Sequence, residues 1–225
     1  KKLFASVRSG AAKVDTVLNH PTCYPGGTLS GTVHLIGGDV EQDVNFVAVG
    51  LWARVEVESG DSEYHQNMKF NRIQISPAFQ IQAQARHSLP FQLPVPWEMP
   101  ISVMPLQSQQ LILDAFVNLG FWFKRADLER GRIRGSQQTL PFYQEIEFAP
   151  GPQWMGRLNE VEVTFITNPQ MMEVVLELDK RRFMGSTDAI YRFHVDHQSA
   201  PHRNWTAELG QALQNMVSSG SYFFG

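Results

Sequence analysis

The 225-residue sequence contains a single cysteine, Cys23, so it can form no internal disulfide bond. It also lacks an apolar run of the roughly 18 residues that a membrane-spanning helix needs. Its opening stretch, KKLFASVRSG, has no long apolar segment of the kind found in signal peptides. These absences lead us to expect a soluble protein of the reducing cytoplasm.

Charge is also scarce. Charged residues make up 18% of the chain, the net charge is -3 and the pI is about 6.2. This balance gives no general attraction to nucleic acid. The sequence motifs G-x-S-x-G and HExxH are missing, as is a phosphate-binding loop. We therefore expect a protein that is not an enzyme and that needs no cofactor.

Alternation of apolar and polar residues, by contrast, runs through most of the chain. A period of two is typical of strands with one buried face, and repeated over several strands it indicates antiparallel β-sandwiches. The alternating segments are residues 29–35, 47–57, 79–85, 89–95, 142–148, 161–165, 172–178 and 191–195. Prolines at positions 90, 94 and 96 place one of these strands at a sheet edge, because proline donates no backbone hydrogen bond.

The stretch YPGGTLSGTVHLIGGDVEQDV shows how one such strand is delimited. Pro25-Gly26 predicts a tight turn before the strand, and Gly37-Gly38 predicts a second turn after it. Gly31 lies in the middle of the strand, where a missing side chain weakens packing. It therefore indicates either a bulge or a close approach of another part of the chain.

Three segments have helical spacing instead. They are residues 1–8, residues 106–119, which Gly120 ends, and a tail helix after Asn204 that presents Trp205, Leu209, Leu213 and Met216 on one side. The predicted fold is all-β, with two tandem antiparallel sandwiches and these short helices. We expect a first sandwich over residues 1–98, a linker over 99–105, a second sandwich over 106–200 and a helical tail over 201–225.

Several motifs together resemble a known family. The early strand YPGGTLSGTVHL and the closing strand HSLPFQLPVPWEMPI resemble the first domain of the arrestin fold. Further motifs resemble the bacterial sporulation-control proteins, an arrestin-like family: GAAKVDTVL at 10–18, GGDVEQDV at 37–44, LDAFVNLGFWFKRADLERG at 113–131, YQEIEFAPGPQWMGRLNEVEVTF at 143–165 and VVLELDKRR at 174–182. In that family a longer segment separates the linker from the helix, where this chain has only ISVMPLQ.

The resemblance implies a cytoplasmic, non-catalytic regulator that acts as an adaptor or scaffold for protein partners. Sheet edges and outer surfaces would make the contacts, and an unpaired sandwich edge also makes a homodimer possible. Arrestins grip anionic groups with cationic side chains, and arginine suits that geometry. The candidate anion contacts here are Arg125, Arg130, Arg132 and Arg134, which are otherwise a solvated loop partly neutralised by nearby acids.

The first eight residues form a second candidate contact, with a partner or with an anionic membrane surface. Its members are Lys1, Lys2, Leu3, Phe4, Val7 and Arg8. This leaves open an alternative function, that of a peripheral membrane trafficking or scaffold factor.

A third alternative is a metal-dependent enzyme. Histidine and carboxylate side chains are zinc ligands, and four lie close together in sequence: His194, Asp196, His197 and His202. On a strand, His194 and Asp196 would share a face while His197 points away, so a closed site needs the chain to bend. Solvated polar residues at the rim of a strand explain the same cluster, and we expect no metal.

Overall fold

The computed structural model describes residues 11–59, 62–102, 105–182 and 185–218. Their strands are β1 (Lys13–Leu18), β2 (Thr28–Ile36), β3 (Gln42–Val44), β4 (Val47–Ser59), β5 (Ser62–Ser76), β6 (Phe79–Ile81), β7 (Arg86–Pro94), β8 (Phe121–Arg130), β9 (Phe142–Pro150), β10 (Leu158–Thr167), β11 (Met171–Arg182) and β12 (Gly185–Asp196). The helices are α1 (Gln107–Asn118), a 3-10 turn at Ala200–His202 and α2 (Trp205–Ser218). The fold is all-β, as predicted.

The chain divides into two compact units. Unit 1 comprises Lys1–Ala53 and Met68–Pro96, and unit 2 comprises Arg54–Asn67 and Trp97–Gly225. The dividing line crosses β4 and β5, so the tip of that hairpin belongs to unit 2.

Unit 1 encloses a small apolar core between sheets. One sheet has the antiparallel order β1-β2-β7, and β3 pairs with β6 in a second. Buried Val33, Leu35, Ile81, Phe91 and Leu93 form the core, against which side chains of β4 and β5 also pack. The prolines of β7 lie on a strand at the edge of its sheet, which confirms that prediction.

Gly31 permits the close approach that its position in the sequence indicates. A Cβ atom there would lie 2.3 Å from the carbonyl oxygen of Val17 and 3.0 Å from the ring of Phe91. The register on both sides of β2 is continuous at this residue, pairing it with Leu18 and with Phe91. The glycine therefore makes room for its neighbours within a regular strand, and no bulge is present.

Unit 2 is built on one long sheet, with the order β12-β11-β10-β9-β8 and then the tip of the β4–β5 hairpin. Neighbouring strands from β8 to β12 are antiparallel. The contact of β4 with β8 departs from this pattern, because it is parallel and, in the part of the chain that the structure describes, pairs Glu56 with Glu129.

Two helices cover one face of the unit 2 sheet. Helix α1 ends at Asn118, and Gly120 lies just beyond its end with a φ of 76°, which favours glycine. In α2, Trp205, Leu209, Leu213 and Met216 are all buried in the core of the unit. The alternation predicts that this sheet has one buried face, but it does not specify that helices do the covering.

Strand β8 was not predicted from the sequence. Its apolar residues lose the period of two because the register against β9 shifts between Phe123 and Arg125. The predicted helix over residues 1–8 lies outside the described residues. None of the helices that the structure describes is long and apolar enough to cross a membrane.

Candidate functional site

A groove of about 320 Å³ lies in unit 2 between α1 and strands β8 and β9. We call it the β8 groove; its lining residues are Ile101, Ser102, Gln110, Leu113, Asp114, Val117, Phe123, Ala126, Gln144, Ile146 and Phe148. The helix contributes residues three and four positions apart, which share one side of a helix. The strands contribute residues of one face of the sheet. Phe123 is opposite Phe148 and Ala126 is opposite Ile146, and all four line the groove together with residues of α1.

Large apolar side chains of this groove remain exposed to solvent. Phe123 is 62% exposed and Val117 is 57% exposed. The ring of Phe123 meets that of Phe148 edge-on, with centroids 6.4 Å apart, so only one side of it is covered. Both side chains line the same groove, so their exposed apolar surfaces lie together.

The β8 strand that forms one wall has an incompletely paired edge. Strand β9 pairs with it from Phe121 to Arg130, whereas β4 reaches it only at Glu129. Among the described residues of unit 2, Glu129 is therefore the position of β8 that pairs with a strand on its second side.

The linker is fixed at the end of the groove by side-chain hydrogen bonds. The backbone N–H of Ile101 donates to Gln144 Oε1 at 2.8 Å, and Gln144 Nε2 donates to the Ile101 carbonyl at 2.9 Å. The Glu98 carboxylate accepts bonds of 2.8–3.0 Å from the backbone N–H groups of Thr139 and Leu140. These bonds hold the segment before α1 against β9 and against the residues that precede β9.

The opposite face of the same sheet carries a group of three glutamates, Glu145, Glu162 and Glu177, which we call the glutamate cluster. They lie on β9, β10 and β11, and a carboxylate oxygen from each lies within 4.8 Å of the others. The register brings them together, because Glu162 is directly opposite Glu177 while Glu145 lies diagonally across from it. Carboxylate oxygens are ligands of hard cations, and this is the group of described residues whose spacing would suit one.

Electrostatics in the glutamate cluster favour protonation. Burial and the neighbouring charge of Glu162 raise the pKa of Glu145 to about 8. Burial and the charge of Glu177 raise the pKa of Glu162 to about 7. Like charges close together disfavour simultaneous ionisation, so the cluster holds protons near neutral pH.

Glu147 behaves in the opposite way, although it lies on the same face. It is 4% exposed and is held by Lys124 at 2.8 Å and by Arg125 at 2.5 Å. Burial disfavours its charged form, but hydrogen bonds from the two cations outweigh that effect and lower its pKa. Two cations therefore hold this buried carboxylate in its ionised form.

The sequence missed the glutamate cluster, although it contains a signal. Strands β9, β10 and β11 each carry two acids separated by one apolar residue: Glu145-Ile146-Glu147, Glu160-Val161-Glu162 and Glu177-Leu178-Asp179. The acids thus occupy the polar phase of three strands. The sequence alone does not show that these three strands are adjacent, so it does not show that the carboxylates meet.

The four arginines that we predicted to bind anions do not converge on one point. Three of them already form ion pairs or hydrogen bonds. Arg125 is paired with Glu147 and with Asp127. Arg130 donates to Gln66 Oε1, and Arg132 donates to the carbonyls of residues 138 and 139. Arg134 is exposed. Anion binding by these residues stays a prediction.

Residues of the predicted histidine cluster form hydrogen bonds with neighbouring parts of the chain. The two ring nitrogens of His197 lie 2.8 Å from Ser108 Oγ and 2.9 Å from the carbonyl of Asn168. The Asp196 carboxylate accepts backbone bonds from residues 198 and 199. These contacts use the side chains of Asp196 and His197, the two central residues of the predicted cluster. His194 and His202 do not form a metal-binding group with them. The other predicted contact, residues 1–8, lies outside the described part of the chain.

Comparisons with known proteins give consistent matches. A family model described as SpoOM protein matches residues 1–107 and 101–182. The sporulation-control protein Spo0M of Bacillus subtilis (strain 168) is 30% identical over 209 residues, with 80% of each chain covered. A crystal structure of Spo0M from Bacillus subtilis superposes with a TM-score of 0.77 at 26% identity, covering 92% of this chain and 98% of that one.

The two stretches of the family match overlap at residues 101–107. Ile101 and Ser102, which line the β8 groove, lie in that overlap.

Proposed function

This chain belongs to the SpoOM protein family of sporulation-control proteins, and from that premise we propose that it is a non-catalytic regulatory adaptor that binds protein partners in the cytoplasm. The name of its relative describes control rather than a reaction, which supports a regulatory role. The arrestin-like fold offers outer faces and strand edges as binding surfaces.

The observation that carries the proposal is the exposed apolar surface of the β8 groove. Phe123 and Val117 lie on facing walls with more than half of each side chain in solvent. Exposing such side chains in water is unfavourable, and soluble proteins tend to keep them exposed together where a partner covers them. A surface of this kind suits protein binding better than it suits a small polar ligand.

Affinity capture in the source bacterium tests this function. The full chain carries a photo-activated cross-linker at an exposed position, and cross-linked proteins are identified by mass spectrometry. We expect a reproducible partner that also captures this chain when it is itself used as bait. Repeated captures that yield no such reciprocal pair would count decisively against the adaptor role.

A further inference from the structure

We propose that unit 1 carries a membrane-contact face, on which exposed aromatic rings and cations along β4 and β5 bind an anionic lipid surface. Four side chains define this face, which we call the hairpin face: Phe46, Trp52, Lys69 and Arg72. All four belong to unit 1. The inference goes beyond the adaptor role, because it concerns the surface that holds the protein rather than the protein that it binds.

The two aromatic rings lie on the outward side of β4. The side chains of this strand that pack against the core of unit 1 are Val47, Val49 and Leu51. Positions between them point to the opposite face of the sheet. On that side Trp52 is 62% exposed, and Phe46, which directly precedes the strand, is 47% exposed. Six residues separate the two rings, which corresponds to roughly 20 Å along a strand.

A cation lies over each of these rings. Lys69 Nζ is 4.8 Å from the centre of the Trp52 ring, and Arg72 Cζ is 4.9 Å from the centre of the Phe46 ring. Attraction between a cation and a ring face holds each charge beside apolar surface. Both cations are also exposed to solvent. Lysine has three N–H donors and arginine has five, so donors remain for the oxygens of an anionic group.

A break in the alternation of β5 brings the two cations to the same side. Phe70 is buried and Ile73 packs against the core of unit 1, although they are three positions apart. Residues three apart on a regular strand point to opposite faces. Between them, Asn71 has a φ of 48°, in the left-handed region, and its side chain donates to a backbone carbonyl of β7. This extra residue places Lys69 and Arg72 together on the outward side.

Charge around the hairpin face is positive. Residues 44–53 and 68–96, which supply β6, β7 and the unit 1 parts of β4 and β5, contain three cations and no aspartate or glutamate. The ion pairs between described residues all lie in unit 2. The nearest acid along the chain, Asp43, accepts a hydrogen bond of 3.0 Å from Gln80 Nε2. An anionic partner is therefore complementary to this face.

The shape of the face favours a lipid surface among anionic partners. Between Phe46 and Trp52, the outward positions of β4 are Ala48 and Gly50, so no large side chain of this strand rises between the rings. Aromatic rings with lysine and arginine beside them settle at the headgroup level of a bilayer. A nucleic-acid strand stacks successive bases on neighbouring rings, which these are not. An extended peptide pairs with a strand edge, whereas these side chains lie on a sheet face.

Vesicle co-sedimentation of the full chain tests the inference. Vesicles of phosphatidylcholine alone are compared with vesicles that also contain about 30% phosphatidylglycerol, an anionic lipid. The variants are Trp52→Ala and Lys69→Gln. The matched controls are Trp122→Ala, which removes a tryptophan that is 56% exposed in unit 2, and Lys13→Gln, which removes an exposed lysine of β1. Thermal unfolding checks that all four variants are folded.

We expect the wild type and both controls to bind the anionic vesicles and to leave the phosphatidylcholine vesicles unbound. Trp52→Ala should weaken binding at least about ten-fold, because it removes the exposed ring, and Lys69→Gln about five-fold, because it removes one cation. Added salt should weaken the wild type by screening. Failure of the wild type to bind, equal binding to both kinds of vesicle, or unchanged binding by both face variants would each overturn the inference.

Tryptophan quenching locates the contact in a variant that still binds. Lipids with brominated acyl chains quench the fluorescence of tryptophans that reach the bilayer. Trp52→Phe keeps an aromatic ring at the position, so it should bind the vesicles but lose the quenching that the wild type and Trp122→Phe show. Quenching that persists undiminished in Trp52→Phe would place the contact elsewhere and overturn the inference.

Two further measurements separate the other occupants. Phe4→Asp alters the first eight residues, the other candidate membrane contact. Loss of vesicle binding in this variant together with unchanged binding by Trp52→Ala would assign the contact to those residues and overturn the inference. Fluorescence anisotropy with labelled oligo-dT and labelled oligo-glutamate tests nucleic acid and acidic peptides. Binding of either probe that Trp52→Ala weakens, without binding to vesicles, would also overturn it.

The adaptor role fails on a different measurement. It depends on reciprocal capture of a protein partner, and a partner can bind unit 2 whether or not unit 1 contacts a membrane. A negative result with vesicles therefore leaves the adaptor role unchanged, and a failed capture leaves the membrane contact unchanged.

Discussion

The two faces of the unit 2 sheet are made by the same strands and have opposite surroundings. On one face, Phe148, Val163 and Leu176 are buried beneath α1 and α2. On the other, the intervening positions carry Glu145 and Glu162. Because successive residues of a strand point to opposite faces, one alternating pattern produces both surfaces. The pattern sets which face is buried, whereas the register decides how the charges on the other face interact.

The faces also contribute to stability in different ways. Burial of apolar side chains stabilises the fold at any pH, by roughly 25 cal/mol for each Å² removed from water. The polar face depends on proton binding, since the pKa values of Glu145 and Glu162 are raised and that of Glu147 is lowered. Substitutions on the two faces should therefore differ both in size and in pH dependence.

The largest effect is expected on the buried face. Phe121 is completely buried, with its ring edge-on to Phe116 at 5.7 Å and stacked on Trp154 at 5.3 Å. The substitution Phe121→Ala leaves a cavity and should lower the free energy of unfolding by about 3–5 kcal/mol. Urea denaturation at pH 7 measures it. A loss below about 1 kcal/mol would show that this face does not carry the stability of the unit.

A smaller loss is expected for Glu147→Gln on the polar face. The variant leaves Lys124 and Arg125 without their shared carboxylate and should lose about 1–3 kcal/mol at pH 7. The pKa of Glu147 lies below its ordinary 4.5, so its contribution is present above pH 4.5 and is lost as the pH falls through the lowered value. The variant and the wild type should converge in acid.

The control for that substitution is Glu160→Gln. Glu160 also binds Lys124, at 2.6 Å, but its side chain is more exposed, and we expect a loss below about 1 kcal/mol. Equal losses for the two variants would mean that burial does not distinguish the two ion pairs. Urea denaturation at several pH values gives both numbers.

A gain in stability is expected for Glu162→Gln. Its pKa is raised from 4.5 to about 7, so its contribution is complete below pH 4.5 and is lost as the pH rises through about 7. Glutamine stays neutral throughout. After allowance for its partial exposure, the variant should be more stable than the wild type by about 1 kcal/mol at pH 8, and by nothing at pH 4.

Thermal unfolding between pH 4 and pH 8 checks the expected gain. The control is Glu41→Gln, which changes the charge equally at an exposed position in unit 1. Parallel stability profiles for the wild type and Glu162→Gln would contradict the raised pKa. A gain of the same size in Glu41→Gln would instead trace the effect to net charge.

Much of this fold could be predicted from the sequence because its signals are local. The alternation in residues 142–148 and 172–178 marks β9 and β11, and the four-residue spacing from Trp205 to Met216 marks α2. Pro90 and Pro94 place β7 at an edge by removing hydrogen-bond donors. Each of these features depends on neighbours along the chain.

The features that escaped depend on contacts between distant residues. Strand β8 was missed because its register shift after Phe123 breaks the period of two. The β8 groove requires α1 to lie across β8 and β9, and the glutamate cluster requires three strands in a particular register. The candidate site therefore could not be read from patterns within single segments.

The smallest effect on stability is expected for Phe123→Ala, two residues from Phe121 and on the same strand. Phe123 is 62% exposed and makes one edge-on ring contact, with Phe148, so truncation should change the free energy of unfolding by less than about 1 kcal/mol. Urea denaturation alongside Phe121→Ala makes the comparison within one strand. A large loss would mean that Phe123 packs into the unit as core, which would leave the groove without its exposed wall. A small loss would mean that Phe123 contributes little to the stability of the fold. Binding of a partner at the groove would then account for an exposed phenylalanine at this position better than packing within the unit does.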